Sequence, residues 1–228
     1  PALFPHGNDR LRFNMIEQQI RPWDVHDPQV LELLGAIRRE DFVPPAHRAL
    51  AFFDMEIPLE GASTPEPGQC MLSPKVEARL LNDLKVQPHE SILEIGTGSG
   101  FMAALLGRSG QQVLTLEIDA ALANRAAETL RRNGASNVEV RHADGAAPLP
   151  AGSRYDVIVL SGSVAHVPEP LLEALTLGGR LAAIVGEDPM MRATFVTRTG
   201  EGQWRTAQPW DTVAPRLRNF PEPSRFNF

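Results

Sequence analysis

Three glycines at alternate positions, Gly96, Gly98 and Gly100, follow an apolar run in "SILEIGTGSGFMAALL", residues 91–106. A strand that passes through such a turn into a helix leaves backbone N–H groups free at the helix N-terminus, where negative or dipolar ligands are favoured. Spacing narrows the ligand. A dinucleotide fingerprint requires a third glycine where Phe101 stands, and a P-loop requires Gly-Lys-Ser/Thr in a chain that has no Gly-Lys pair. What stands here is acidic-x-Gly-x-Gly-x-Gly, from Glu94 through Thr97 and Ser99 to Gly100. Glu117, followed by Ile118, closes the next strand-like run 21 residues after Gly96. A carboxylate so placed can accept hydrogen bonds from both hydroxyls of a ribose. Asp144-Gly145 closes a third run.

The pattern resembles motif I of S-adenosylmethionine-dependent methyltransferases. The resemblance implies S-adenosyl-L-methionine as cofactor, with Gly96 to Gly100 holding its amino acid end, Glu117 its ribose and Asp144 its adenine, and with Glu94, Ile118 and Gly145 also in the cofactor site. Each feature also has a plainer use. Glycines at a strand–helix turn permit close packing, and Asp-Gly is an ordinary turn dipeptide.

From about Phe13 to Gly186 the chain is similar to the protein-L-isoaspartate O-methyltransferase family. "RREDFVPPAHRALAFFDMEIPL" is similar to that family's Arg-x-x-Phe-Val-Pro and Tyr/Phe-x-Asp-x-x-x-Pro-Leu segments, and "GQCMLSP" falls where the family has Gly-Gln-Thr-Ile-Ser-x-Pro. The resemblance weakens over the final forty or so residues, although a "PSRFNF" tail suits some bacterial homologues. It implies methylation of the carboxylate of L-isoaspartyl residues in damaged proteins or peptides. A carboxylate of ordinary pKa, about 3.9, is already ionised at neutral pH, so the reaction needs no general base. Alignment and exclusion of water suffice.

One departure bears on the acceptor. Leu72 occupies the family's Ser position, and the hydroxyl moves one residue on, to Ser73. Adjacent residues of an extended chain point to opposite sides. Ser73 is either the catalytic-site hydroxyl that holds the substrate or donor, or the N-cap of a helix opening at Pro74. Gln69, Met71, Leu72, Ser161 and His166, with Ser163, are expected around the acceptor. Cys70 is expected to pack, since methyl transfer requires no nucleophilic thiol.

The elements that must hold these residues can be read from periodicity. Asn8 or Asp9 is placed to cap a helix with Leu11, Met15, Ile16 and Ile20 inward, and Asp27-Pro28 to open a second with Val30, Leu31, Leu34 and Ile37. A third, after Ser73-Pro74, carries Val76, Leu80, Leu81 and Leu84. "SILEI", "QVLTLEI", "VEVRHA", "YDVIVL" and "GRLAAIVG" read as strands separated by helices or loops, the pattern of right-handed βαβ units. "ATFVTRT" and "WRTAQPW" would add an antiparallel pair. The expectation is an α/β, Rossmann-like sandwich with a mostly parallel sheet. Residues 1–74 would form a helical cap and substrate-side loop, and 75–228 the methyltransferase domain, in one compact unit. "LEGASTPEPG" (59–68) is a loop several residues longer than the family's usual link.

Composition excludes other classes. The net charge is −6, and of 22 basic residues only Lys75 and Lys85 are lysine. The arginines are scattered, so no basic stripe invites nucleic acid. One cysteine and six histidines without His-x-His or His-x-x-x-His spacing give no support for a metal site. With no apolar run long enough for a bilayer and no leader expected, the reading is a cytoplasmic protein without a membrane partner. Oligomeric state leaves no mark in the sequence. Two alternatives share the donor: a methyltransferase acting on another carboxylate or small molecule, and a non-catalytic binding protein, against which intact Glu94, Glu117 and Asp144 argue.

Overall fold

Beyond a short antiparallel pair, β1 (Ile57–Pro58) and β2 (Cys70–Met71), the apolar runs from Ser91 on fold as strands whose alternate residues enter two cores. In β3 (Ser91–Ile95), Ile92 joins one core while Leu93 and Ile95 join the other. In β6 (Tyr155–Val164), Val157 and Val159 face the first core, Ile158 and Leu160 the second. Successive side chains of a strand point to opposite faces, so a sheet covered on both faces needs continuous apolar runs. The computed structural model describes residues 7–224. The end of "PSRFNF" lies outside the described residues.

With β4 (Gln112–Glu117), β5 (Val138–His142), β7 (Leu175–Glu187), β8 (Met190–Gly200) and β9 (Gln203–Asp211), these strands form one sheet in the order β5-β4-β3-β6-β7-β8-β9. Strands β3 to β7 pair in parallel, and β8 and β9 add an antiparallel meander. The chain runs outward from β3 through β4 to β5, then returns on the other side of β3 as β6. The order therefore reverses between β3 and β6, where open α/β sheets bind ligands beyond the carboxyl ends of the strands. β6 runs four residues past the expected end, to Val164, which puts Ser161 and Ser163 on a strand extension with a register shift instead of in a loop.

On the first face pack α3 (Pro74–Leu84) and α4 (Phe101–Ser109), along with the N-terminal elements: Met15, Ile20, Val30, Leu34, Leu80, Leu81 and Phe101 share one core. α1 (Gly7–Met15) begins earlier than expected, so Asn8 and Asp9 lie within it, and Asp9 accepts a 2.9 Å bond from Arg12. Leu11, expected inward, is exposed. Arg12 takes the inward place because Glu40 receives its guanidinium at 2.5 Å and the Phe52 ring lies against it. A buried partner overrides the apolar pattern here. α2 (Pro28–Ala36) opens as expected, with the Asp27 carboxylate accepting from Gln29 N.

Candidate active site

The turn after β3 uses its glycines for two different purposes. Gly96 has φ +93°, and a Cβ there would stand 3.0 Å from Leu217 Cδ2 and 3.4 Å from the Ser161 carbonyl, so it keeps the chain flush with a cavity. Gly100, at φ +89°, opens α4, and its Cβ would press on Leu130 of α5 (Ala120–Arg132) at 3.3 Å. Gly96 thus borders the cavity, while Gly100 serves helix packing.

Beneath the turn, register decides the polar contacts. Glu94 lies beside Thr115 in the β3–β4 ladder and accepts from Thr115 Oγ1 at 2.7 Å, while Ser161 Oγ donates to its other oxygen at 2.6 Å. Thr97 Oγ1 lies 2.6 Å from Thr115 Oγ1. Glu94 is wholly buried; burial pushes its carboxyl up to about 8, against the pull of the two hydroxyls. Glu117 accepts the Gly98 and Asp119 N–H groups at 2.9 and 3.1 Å, which ties the end of β4 to the turn. Ser99 Oγ accepts from Phe101 N at 3.2 Å.

A cavity opens above this platform, at the reversal point. Gly96, Gly98, Glu117, Ile118, Asp144 and Gly145 line it, and from β6 Ser161 does so as well. Gln69 and Leu72 reach it from the N-terminal side. Glu94, Thr97, Ser99 and Gly100, expected in the cofactor site, do not line it, and neither does buried Met71. His166 is exposed and lines neither this cavity nor the one described below.

Sequence periodicity gave no hint of the cavity's roof. Residues after β9 double back across it: Ser163 N donates to the Pro215 carbonyl at 2.7 Å, and Leu217 N to the Ser163 carbonyl at 2.8 Å. Leu217 packs over Gly96 and Gly162, and the Asn219 amide donates to Asp144 Oδ2 at 2.8 Å. The open volume is about 130 Å³, below the roughly 300–1,000 Å³ of small-molecule sites, because this segment occupies part of the crevice. The 59–68 loop forms the opposite wall and is tied down. Ser63 N, Thr64 N and Thr64 Oγ1 donate to Asp119, which also caps α5 through Ala121 and Leu122. Burial pushes Asp119 up, but the N–H donors of Ser63, Thr64 and Leu122 outweigh it and hold the carboxyl far below its usual range. Arg218 joins roof to wall, with Nη1 donating to Thr64 Oγ1 at 3.2 Å.

A second cavity, of about 470 Å³, adjoins the first, and Leu72 lines both. Ser73 opens onto the second one. It stands at the N-cap position of α3, and its carbonyl accepts from Val76 and Glu77, yet its hydroxyl makes no capping bond. The cap expected of Ser73 is thus positional only. Cys70 is half-buried and lines the first cavity instead of packing in the core: it donates to Glu56 at 3.5 Å, and burial, reinforced by that carboxylate, pushes the thiol up so that it stays protonated.

Arg39, from the Arg-x-x-Phe segment, was given no role by sequence reasoning. It is almost wholly buried, with Nη1 on Glu77 at 2.9 Å, Nη2 on the Leu72 carbonyl at 3.0 Å, and its guanidinium 4.7 Å from the Phe101 ring centroid. One side chain thereby fixes the Leu72–Ser73 segment against both α3 and α4. The cap holds several other arginines, so residue type alone did not single Arg39 out; its place in the Arg-x-x-Phe segment was the available signal.

A parallel sheet reversing at β3/β6, with a glycine turn, two carboxylates at adjacent strand ends and a cavity over them, defines a Rossmann-like fold of the S-adenosylmethionine-dependent methyltransferase class. The profile of the Protein-L-isoaspartate(D-aspartate) O-methyltransferase (PCMT) family matches residues 11–212, and the chain belongs to that family. It is 36% identical to protein-L-isoaspartate O-methyltransferase 1 of Rhodopseudomonas palustris strain HaA2, over 91% of this chain and 88% of that one. It is 38% identical to the protein-L-isoaspartate O-methyltransferase of strain ATCC BAA-98 / CGA009, over 84% and 85%. In fold it matches a solved Plasmodium falciparum chain described as a protein-L-isoaspartate O-methyltransferase in complex with S-adenosyl-L-homocysteine. The TM-score is 0.75 at 18% identity, covering 93% of this chain and 99% of that one. Among the described residues, no helix is long and apolar enough to cross a membrane.

Proposed function

We infer that this protein is an S-adenosylmethionine-dependent O-methyltransferase that esterifies the carboxylate of L-isoaspartyl residues in proteins or peptides. Family membership supports the activity, and the single observation that carries the site is the cavity at the β3/β6 reversal. There, Gly96 clears the floor while Glu117 and Asp144 face one space from adjacent strand ends. The donor set fits the cofactor: two carboxylates for hydroxyl and amine hydrogens, and a glycine floor that a Cβ would fill. When bound, S-adenosylmethionine supplies an electrophilic sulfonium methyl.

The chain's own residues bind, orient and exclude water. Glu117, already held by Gly98 and Asp119, keeps lone pairs for the ribose, and Asp144 takes the adenine amine in place of Asn219. Glu94 acts from below by fixing Ser161 and the turn. The Pro215–Arg218 roof and the 59–68 wall shield the reacting atoms from water. Ser73, whose hydroxyl is uncommitted, serves the acceptor from beyond Leu72. Residues 1–74 act as the acceptor-side cap, and 75–228 as the methyltransferase domain.

The test is label transfer from S-adenosylmethionine to a peptide containing isoaspartate, with its normal aspartyl twin as control and donor binding measured in parallel. Transfer to the isoaspartyl peptide alone is the expected result. Donor binding without transfer would send the search to other acceptors, a reading that Leu72 at the family's Ser position favours.

A further inference from the structure

The second cavity has features of a built site that the donor does not use. Its walls are Trp23, Val76, Met190, Met191 and Val213, with Ser73 and Leu72 toward the donor side. Ser73 is only 9% exposed, and its hydroxyl bonds to no other side chain or backbone group among the described residues. The hydroxyl stands open to the cavity as an uncommitted donor and acceptor, ready to bond a ligand in place of solvent. The cations on the wall are already paired. Lys75 lies 2.9 Å from Asp54 and 4.2 Å from the centre of the Trp23 ring, and Arg192 lies 3.4 Å from Asp211. They offer no free charge to an anion. At the mouth, Met190 is 82% exposed and Val213 46% exposed, so two large apolar side chains face water beside the opening. Adjacent exposed apolar groups mark binding surfaces, and methionine adapts to varied partners.

We propose that this cavity is the acceptor's flanking-residue subsite: it takes an apolar or aromatic side chain adjacent to the isoaspartyl residue, while Ser73 Oγ donates to the peptide beside it. The inference rests on the isoaspartyl reading above. Its geometric support is Leu72, the wall shared with the donor cavity, since an acceptor carboxylate delivered to the donor must lie beside that wall. The rest of the acceptor then extends into the adjoining space, where the apolar wall stands beside two paired cations and the carboxylate of Glu56, which disfavours an acidic neighbour. The cavity therefore discriminates by side-chain polarity and leaves recognition of the carboxylate to the border.

The experiment uses isoaspartyl peptides that differ in one residue, Phe or Asp, placed before or after the isoaspartate. The intact protein should show kcat/KM about tenfold higher for Phe than for Asp on one of the two sides, as burial of one apolar side chain implies. In M190S/V213S, changed only at exposed positions and without added charge, that ratio should fall several-fold, with donor affinity by calorimetry unaltered. A ratio near one in the unmodified protein, or one that survives the double substitution, would overturn the subsite and leave the activity intact. If no isoaspartyl peptide accepts label although the donor binds, the activity reading falls, and the subsite with it.

Discussion

The two cavities that meet at Leu72 are built in opposite ways. In the first, the polar groups are set before any ligand arrives: Glu117 by the Gly98 and Asp119 amides, Glu94 by Thr115 and Ser161, Asp144 by Ala146 and Asn219. In the second, Trp23, Ser73, Met190 and Val213 come from four separate segments, and the hydroxyl is uncommitted. Strand ends and a tight turn suit a ligand of constant shape. Loop-borne side chains with adaptable methionines suit an acceptor whose neighbours vary. On the proposed reading, constant recognition falls to preset groups at strand ends and variable recognition to loop-borne side chains.

The largest test of this division is electrostatic. Glu94, with an ordinary value of 4.5, stands at about 8 when folded, so the native state holds a proton that the unfolded chain releases between those values. Folding stability should therefore fall as pH rises from about 4.5 to about 8 and level off above, by on the order of 5 kcal/mol. Glu77, raised by burial against Arg39, adds a slope of the same sign from the acceptor side. Urea unfolding of Glu94→Gln across that range should lose most of the slope. An unchanged slope would move the acid response to the Arg39–Glu77 pair.

Arg39→Ala comes next. It strands buried Glu77 and frees the Leu72 carbonyl, at a cost of about 3–5 kcal/mol to stability, read by thermal melting. At low temperature the folded variant should bind donor normally while its KM for peptide rises. Equal loss of donor affinity would merge the two regions into one mechanical unit.

Glu117→Ala should weaken donor binding by about tenfold or more, for hydrogen bonds to a charged group worth roughly 1.5–3 kcal/mol each. Calorimetry checks this, and an unaltered affinity would remove the donor from the first cavity. The smallest effect concerns the roof. Asn219→Ala releases Asp144 Oδ2, and donor affinity should rise a few-fold, as expected for exchanging one bond worth about 0.5–1.5 kcal/mol. A fall would make Asn219 a donor contact instead of a competitor.

Where physics is local, the sequence alone was sufficient. Alternating glycines between a strand run and a helix, Glu117 and Asp144 at the following strand ends, Asp27-Pro28 opening α2 and the apolar stripe of α3 all follow from periods of two and 3.6 and from φ preferences that neighbours within a few residues decide. The family signatures added the acceptor class. Tertiary structure decided what distance along the chain conceals. Arg12 took the inward place expected of Leu11 because folding brings it Glu40, 28 residues away, and Arg39 became the clamp that joins Leu72 to Glu77. Ser73 turned toward a second cavity, and residues 215–219 became the roof of the first. A buried charge or an uncommitted hydroxyl takes its meaning from its partner. Partners are brought together by packing, which no window of sequence contains.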